Sequence, residues 1–161
     1  MSLLALGALA FGLALAALLR KPLPSLRRPW AFLLAPVPEV VAVFLPVPTF
    51  LAQGTTYTLV GLAVLMNREI RPLYLVLLGA LMNLTTILIH GGMPVDPGAL
   101  ERAGLGEFRG YLEGKGDGLH YLGPAFPLGD WIAVPGRVLS PGDTLILLGL
   151  FLTPLGRSNH G

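Results

Sequence analysis

Two imidazoles and three carboxylates fall within one half of this 161-residue chain, at His90, Asp96, His120, Asp130 and Asp143. These are the donor types that hold Zn²⁺ or another divalent ion, and a histidine beside an aspartate is a common pair for moving a proton. His120 and Asp130 are the candidates for acid–base catalysis, and His90 and Asp96 for holding a ligand. Their spacing restrains the reading. The chain has no HExxH, no histidine pair at helical separation and no cysteine, so neither a metal nor a cofactor is expected. "VLSPG" lacks the preceding glycine of a serine nucleophile elbow, and no Walker loop or dinucleotide fingerprint is present. Two further polar residues, Glu39 and Asn83, stand inside apolar sequence and are candidate ligand-binding groups. An unpaired carboxylate at membrane depth costs about 3 kcal/mol or more, so Glu39 needs a partner or a broken segment around it. A mid-span asparagine most often bonds across helices.

The elements that position these residues follow from composition. Hydrophobic residues make up 53% of the chain and charged ones 12%, with a mean hydropathy of +0.71. A soluble domain carries about a quarter charged residues, so the balance predicts an all-α integral membrane protein that is one polytopic domain over 1–161. The net charge is +2, but the basic residues are scattered rather than gathered in a stripe, which argues against nucleic acid. About five transmembrane or membrane-embedded segments can be laid out, over 2–19, 30–45, 48–66, 73–89 and 140–155, with one long structured outer loop over 91–137. The first, "SLLALGALAFGLALAALL", has basic residues after it rather than before it, which favours a retained anchor over a signal peptide. The second is interrupted by Pro36 and Pro38. The last is apolar from Leu145 to Leu155 and needs Val138 to Asp143 to reach across.

Basic residues set the orientation. Arg20, Lys21, Arg27 and Arg28 lie in the first connection, Arg68 and Arg71 in the third, and Arg157 in the tail, which predicts those sides to be cytoplasmic. The second connection is uncharged, and the long fourth one has four basic residues against six acids. The expected placement is the inner membrane of a bacterium, N-terminus outside and C-terminus inside, with the bilayer as partner and a protein partner or second copy as further possibilities.

Several of the same residues have backbone explanations. In "IHGGMPVD", Gly91 and Gly92 follow the last apolar turn, where a helix commonly ends on a glycine at positive φ, and Pro94 drives the residue before it out of helical geometry. Asp96 then reads as the N-cap of a short outer helix over "DPGALERAG". Ser140 and Asp143, three apart before an apolar run, form a capping-box pattern. The stretch "YLGPAFPLGDWI" carries one charge in twelve residues and is expected to fold back as a compact outer cap, against the competing reading of a mobile glycine-rich loop.

The order of "MNREIRP", "GALMNLTTILIHGGMPVD", "GLHYLG", "PLGDWI" and "LSPGDTLILLGLFL" resembles the small bacterial membrane proteins grouped as domain of unknown function 5317. The resemblance implies the polytopic architecture and singles out Asn67, Asn83, His120, Gly129 and Asp130, without implying a reaction. The expected function is a non-enzymatic accessory or scaffold module with a structured extracytoplasmic loop. The alternatives are a membrane enzyme acting on a lipid or other amphipathic substrate at the outer interface, with His120 and Asp130 moving the proton, and a small oligomeric transporter lined by Glu39 and Asn83.

Overall fold

The computed structural model describes residues 2–114 and 118–156. Lys115 and Asp117 of the long loop, and Arg157, counted above with the cytoplasmic charges, lie outside the described residues. The protein is mostly helical. Helix α1 covers Ser2–Leu18, α2 Trp30–Leu34, α3 Val37–Phe44, α4 Thr49–Met66 and α5 Leu73–His90. After α5 the chain builds a small cap from β1 (Met93–Val95), α6 (Pro97–Arg102), α7 (Arg109–Gly114), β2 (His120–Leu122), β3 (Ile132–Val134) and β4 (Arg137–Leu139). It then returns along α8, Pro141–Leu152, which closes with a 3₁₀ turn over Thr153–Leu155. The main helices pack as neighbours in the order α1, α8, α5, α4, α3.

Three expectations are corrected by this course. The apolar stretch 30–45 is two helices rather than one span, because Pro36 offers no amide hydrogen to the preceding turn; α2 stops at Leu34 and α3 restarts with Pro38 in its first turn, where a missing N–H is tolerated. The loop is not purely helical or coiled: β1 pairs in parallel with β2, Met93 opposite His120, and β3 with β4 in an antiparallel hairpin, so the all-α description becomes mostly α with two small two-stranded sheets. The hairpin turns at Pro135 and Gly136, the latter at φ +73°, a proline-then-glycine order that suits a tight turn needing positive φ at its second central residue. Finally, Val138 and Leu139 belong to β4, so they cannot lengthen the last helix. With 12 residues, α8 is about 18 Å long, well short of the roughly 30 Å hydrocarbon core.

The core runs along α4, α5 and α8 and into the cap: Tyr57, Val64, Leu73, Val76, Ala80, Ile87 and Ile146 continue to Met93 and Leu119. The tightest approach is the crossing of α5 and α8. A Cβ on Gly79 would strike the Gly142 carbonyl, and one on Gly142 would strike the Asn83 amide oxygen, so both positions require the absence of a side chain. Conversely, large apolar side chains on the outward faces are exposed, among them Leu33, Phe44, Leu65, Leu81 and Leu88.

Gly142→Ala is therefore expected to force the crossing apart and to lower the melting temperature in detergent, by the roughly 1–3 kcal/mol typical of overpacking. Gly7→Ala, which would meet nothing within 4 Å, should leave it unchanged or raise it slightly. Equal melting temperatures for both variants would show that the crossing is not close-packed.

Candidate functional site

Asn83, midway along α5, is a fully buried polar group of the bundle. Its amide nitrogen donates to Tyr57 Oη on α4 at 3.0 Å and to Asp143 Oδ1 on α8 at 2.7 Å. Its amide oxygen accepts from Ser140 Oγ at 2.8 Å. Ser140 Oγ in turn accepts from the Asp143 amide at 2.9 Å, and Asp143 Oδ2 accepts from the Ser140 amide at 3.5 Å, which completes a capping box at the start of α8. One asparagine thus joins three helices with donors and acceptor all engaged, the condition under which a buried polar group does not destabilise an apolar bundle.

Above this network lies the cap. The Gly91 backbone is left-handed, at φ +67°, and ends α5, so the chain leaves directly as extended β1. Asp130 pairs with β1 on the edge opposite β2: its amide donates to the Pro94 carbonyl at 2.9 Å and its carbonyl accepts from the Asp96 amide at 2.8 Å. With β2 on one side of β1 and Asp130 on the other, His120 Nε2 comes within 3.6 Å of Asp130 Oδ2. The Asp130 side chain is 6% exposed and that of His120 36%, so the carboxylate is buried behind an imidazole that reaches solvent.

Between the cap and the helices is an open cavity of about 730 Å³. Glu39 of α3, Gln53 of α4, His120 of β2, Asp130, Arg137 of β4 and Asp143 of α8 face it, and Leu100, Leu105, Phe108, Leu112 and Leu139 supply apolar wall. Of the residues singled out in the sequence, Glu39, His120, Asp130 and Asp143 therefore meet at one cavity, with Asn83 holding Asp143 from behind. His90 and Asp96 do not join them. His90 is exposed at the end of α5, its ring edge-on to Phe126 at 4.5 Å. Asp96 caps α6, accepting from the amides of Gly98 and Ala99 at 3.3 and 2.9 Å. Among the described residues no three histidine, aspartate or glutamate side chains converge as a metal site would require.

Sequence reasoning missed Tyr57 and Gln53, although they are four apart in an apolar helix and hence on one face, a spacing that marks a polar stripe. Arg137 entered it only as one of the four basic residues of the loop and as the loop's boundary. The hairpin carries Arg137 to the cavity, and its turn signal, Pro135-Gly136, was there to be read.

The chain was also compared with known proteins. The model of one family, described as Family of unknown function (DUF5317), matches residues 24–155. No curated protein and no solved structure matches the chain.

Removing Ser140 Oγ deletes both the N-cap of α8 and the donor to Asn83. Ser140→Ala is expected to cost about 1–3 kcal/mol of stability, the range for losing a cap together with a buried hydrogen bond. In a double-mutant cycle with Asn83→Leu the two losses should be clearly less than additive, because both substitutions break the same bond. Additive losses would mean that Ser140 and Asn83 stabilise the bundle separately.

Proposed function

This chain belongs to that family of unknown function, DUF5317, and we propose that it is an integral membrane protein of the bacterial inner membrane whose outer cavity binds an amphipathic molecule. Binding without turnover keeps the non-enzymatic part of the role expected from the sequence and puts an amphiphile in place of a protein partner. The observation that carries this reading is the cavity itself, where charged groups from four elements converge against apolar walls at the cap end of the helices. Ligand pockets commonly combine an apolar lining with a few placed polar groups, and about 300–1,000 Å³ is their usual size.

Five membrane-embedded segments frame the cavity in this reading: α1, the broken pair α2–α3, α4, α5 and α8. Two of them, α4 and α5, are long and apolar enough to cross a bilayer, and only 28% and 39% of their most apolar windows are buried in the protein. The core helix of a soluble protein would be mostly buried, so the free apolar faces favour lipid as their solvent. Arg27 on the first connection pairs with Glu69 on the third at 3.0 Å, which supports a common, cytoplasmic side for the basic loops. The Gly118 backbone lies against Thr49 at the start of α4, which supports a common outer side for the second connection and the cap. Tyr111 and Trp131 on the cap and Trp30 and Tyr74 near the opposite end are exposed aromatics of the kind enriched at both membrane interfaces.

A second reading is favoured by one observation. The His120 and Asp130 pair faces the same cavity, an arrangement that could move a proton on a bound amphiphile. Conversion of the bound molecule, lost on His120→Ala, would decide for the enzyme over the binding module.

The chain contains no cysteine, so single introduced cysteines report topology without background. Gly114→Cys is expected to react with a membrane-impermeant thiol reagent in intact cells, and Arg68→Cys only after permeabilisation; the reverse pattern would invert the topology. Native mass spectrometry of the full chain in mild detergent is expected to show retained lipid. Ala42→Trp, which fills the cavity from α3, should remove that lipid while the protein keeps its helical circular dichroism. Lipid retention indifferent to Ala42→Trp would overturn the cavity as the binding site.

A further inference from the structure

We propose that the cavity takes the headgroup of a zwitterionic amphiphile, its ammonium against Glu39 and its anionic group against Arg137; this rests on the cavity being an amphiphile site. The charged groups of the wall differ in what they already touch. Asp143 is engaged by the Asn83 amide and by its own capping box. Asp130 has His120 within ion-pair distance. Glu39 makes no hydrogen bond or ion pair with any described residue, although it lines the cavity from the first turn of α3 and is half-buried. It lies six residues below the outer end of its segment at Leu45, about 9 Å down the helix axis. A carboxylate at such depth is normally paired, and here the cavity is what it faces.

Arg137 presents the complementary case. Arg137 lines the same cavity from β4 and makes no ion pair with a carboxylate among the described residues. Opposite charges thus face one space without closing on each other. A purely anionic headgroup would satisfy Arg137 but leave Glu39 uncompensated and add repulsion from Asp130 and Asp143. A purely cationic one would satisfy Glu39 and oppose Arg137. A molecule carrying both charges a few bonds apart meets each group with its opposite, and the apolar wall formed by Leu100, Leu105 and Phe108 suits the start of an acyl chain. The same chemistry is offered by a phosphatidylethanolamine headgroup and by soluble phosphoethanolamine, and the experiment separates the two.

The test is competitive retention on the full chain in mild detergent, read by native mass spectrometry, with phosphatidylethanolamine against phosphatidylglycerol of matched acyl chains. The unsubstituted protein is expected to prefer phosphatidylethanolamine. Glu39→Gln should reduce that preference by about fivefold or more, as expected for losing one partly buried charge pair, while Glu39→Asp retains it. Arg137→Gln should weaken retention of both lipids. Soluble phosphoethanolamine that leaves the bound lipid in place identifies the lipid as the source of the headgroup; displacement at comparable concentration identifies the free zwitterion, and the charge assignment stands in either case. A preference unchanged by Glu39→Gln, while Ala42→Trp still clears the cavity, overturns the zwitterion inference and leaves the amphiphile site intact. Failure of Ala42→Trp to clear it brings down the underlying site instead. A melting temperature for Glu39→Gln close to that of the unsubstituted protein excludes misfolding as the cause of any loss.

Discussion

The hydrogen bonds of the Asn83 amide set the geometry of everything above them. A polar group buried in a helix bundle must find partners, and it positions the helices that supply them. Asn83 is that group, and the bare backbones of Gly79 and Gly142 let α8 come near enough to serve it. The consequence is a fixed depth. Because Ser140 and Asp143 have to meet Asn83, α8 begins beside the middle of α5 rather than at its cap end; His90 is seven residues further along α5, about 10 Å. The space left above the start of α8 is where the hairpin of β3 and β4 descends and where the cavity opens. A leucine at position 83 would pack, but it would leave α8 free to slide.

The cap is held to that frame through β1. Gly91 ends α5 with a single left-handed residue, so the position of α5 passes to β1 within three residues, and β1 is buried along its whole length. On one edge Met93 accepts the β2 register that places His120; on the other, the Pro94 carbonyl and the Asp96 amide seat Asp130. Gly129 contributes by having no side chain, since a Cβ there would press on the Pro94 carbonyl at 2.7 Å. The distance between His120 and Asp130 is therefore set by backbone ladders on both sides of one short strand. Paired backbone holds such a distance better than an unpaired loop would, because the register removes the rotational freedom that loop residues keep.

Local chemistry made much of this legible in the sequence. The stop at Gly91, the cap at Asp96 and the box at Ser140 and Asp143 depend on a few adjacent residues, and each is where its residue types require it. Asn83 was legible as interhelical glue because an amide in an apolar helix has few alternatives. Whatever depends on long-range pairing was not legible. Nothing local in "RVL" or "HYL" distinguishes a cap strand from loop, and Val138 and Leu139 are as apolar as a helix extension would be, so the last segment read longer than it is. The assembly of Glu39 with the cap residues was hidden for the same reason: α3 and β2 are more than seventy residues apart, and only the depth imposed by Asn83 brings them to one cavity.

That depth also distinguishes the two carboxylates that begin helices at the cavity. The chain breaks its helices twice beside the cavity, at Ala35-Pro36 before α3 and at Ser140 before α8. Each restart carries an acid in its first turn, Glu39 and Asp143, the charge that suits a helix N-terminus. The two acids differ in kind. Asp143 is bonded into the box and to Asn83, so its oxygens are committed to the fold. Glu39 follows a proline that supplies no capping side chain, and its carboxylate is bonded to no described residue. The same electrostatic need that placed both acids therefore fixes one as structure and leaves the other facing the cavity, which is why the charge available to a ligand sits on the broken segment rather than on the network that holds the bundle together.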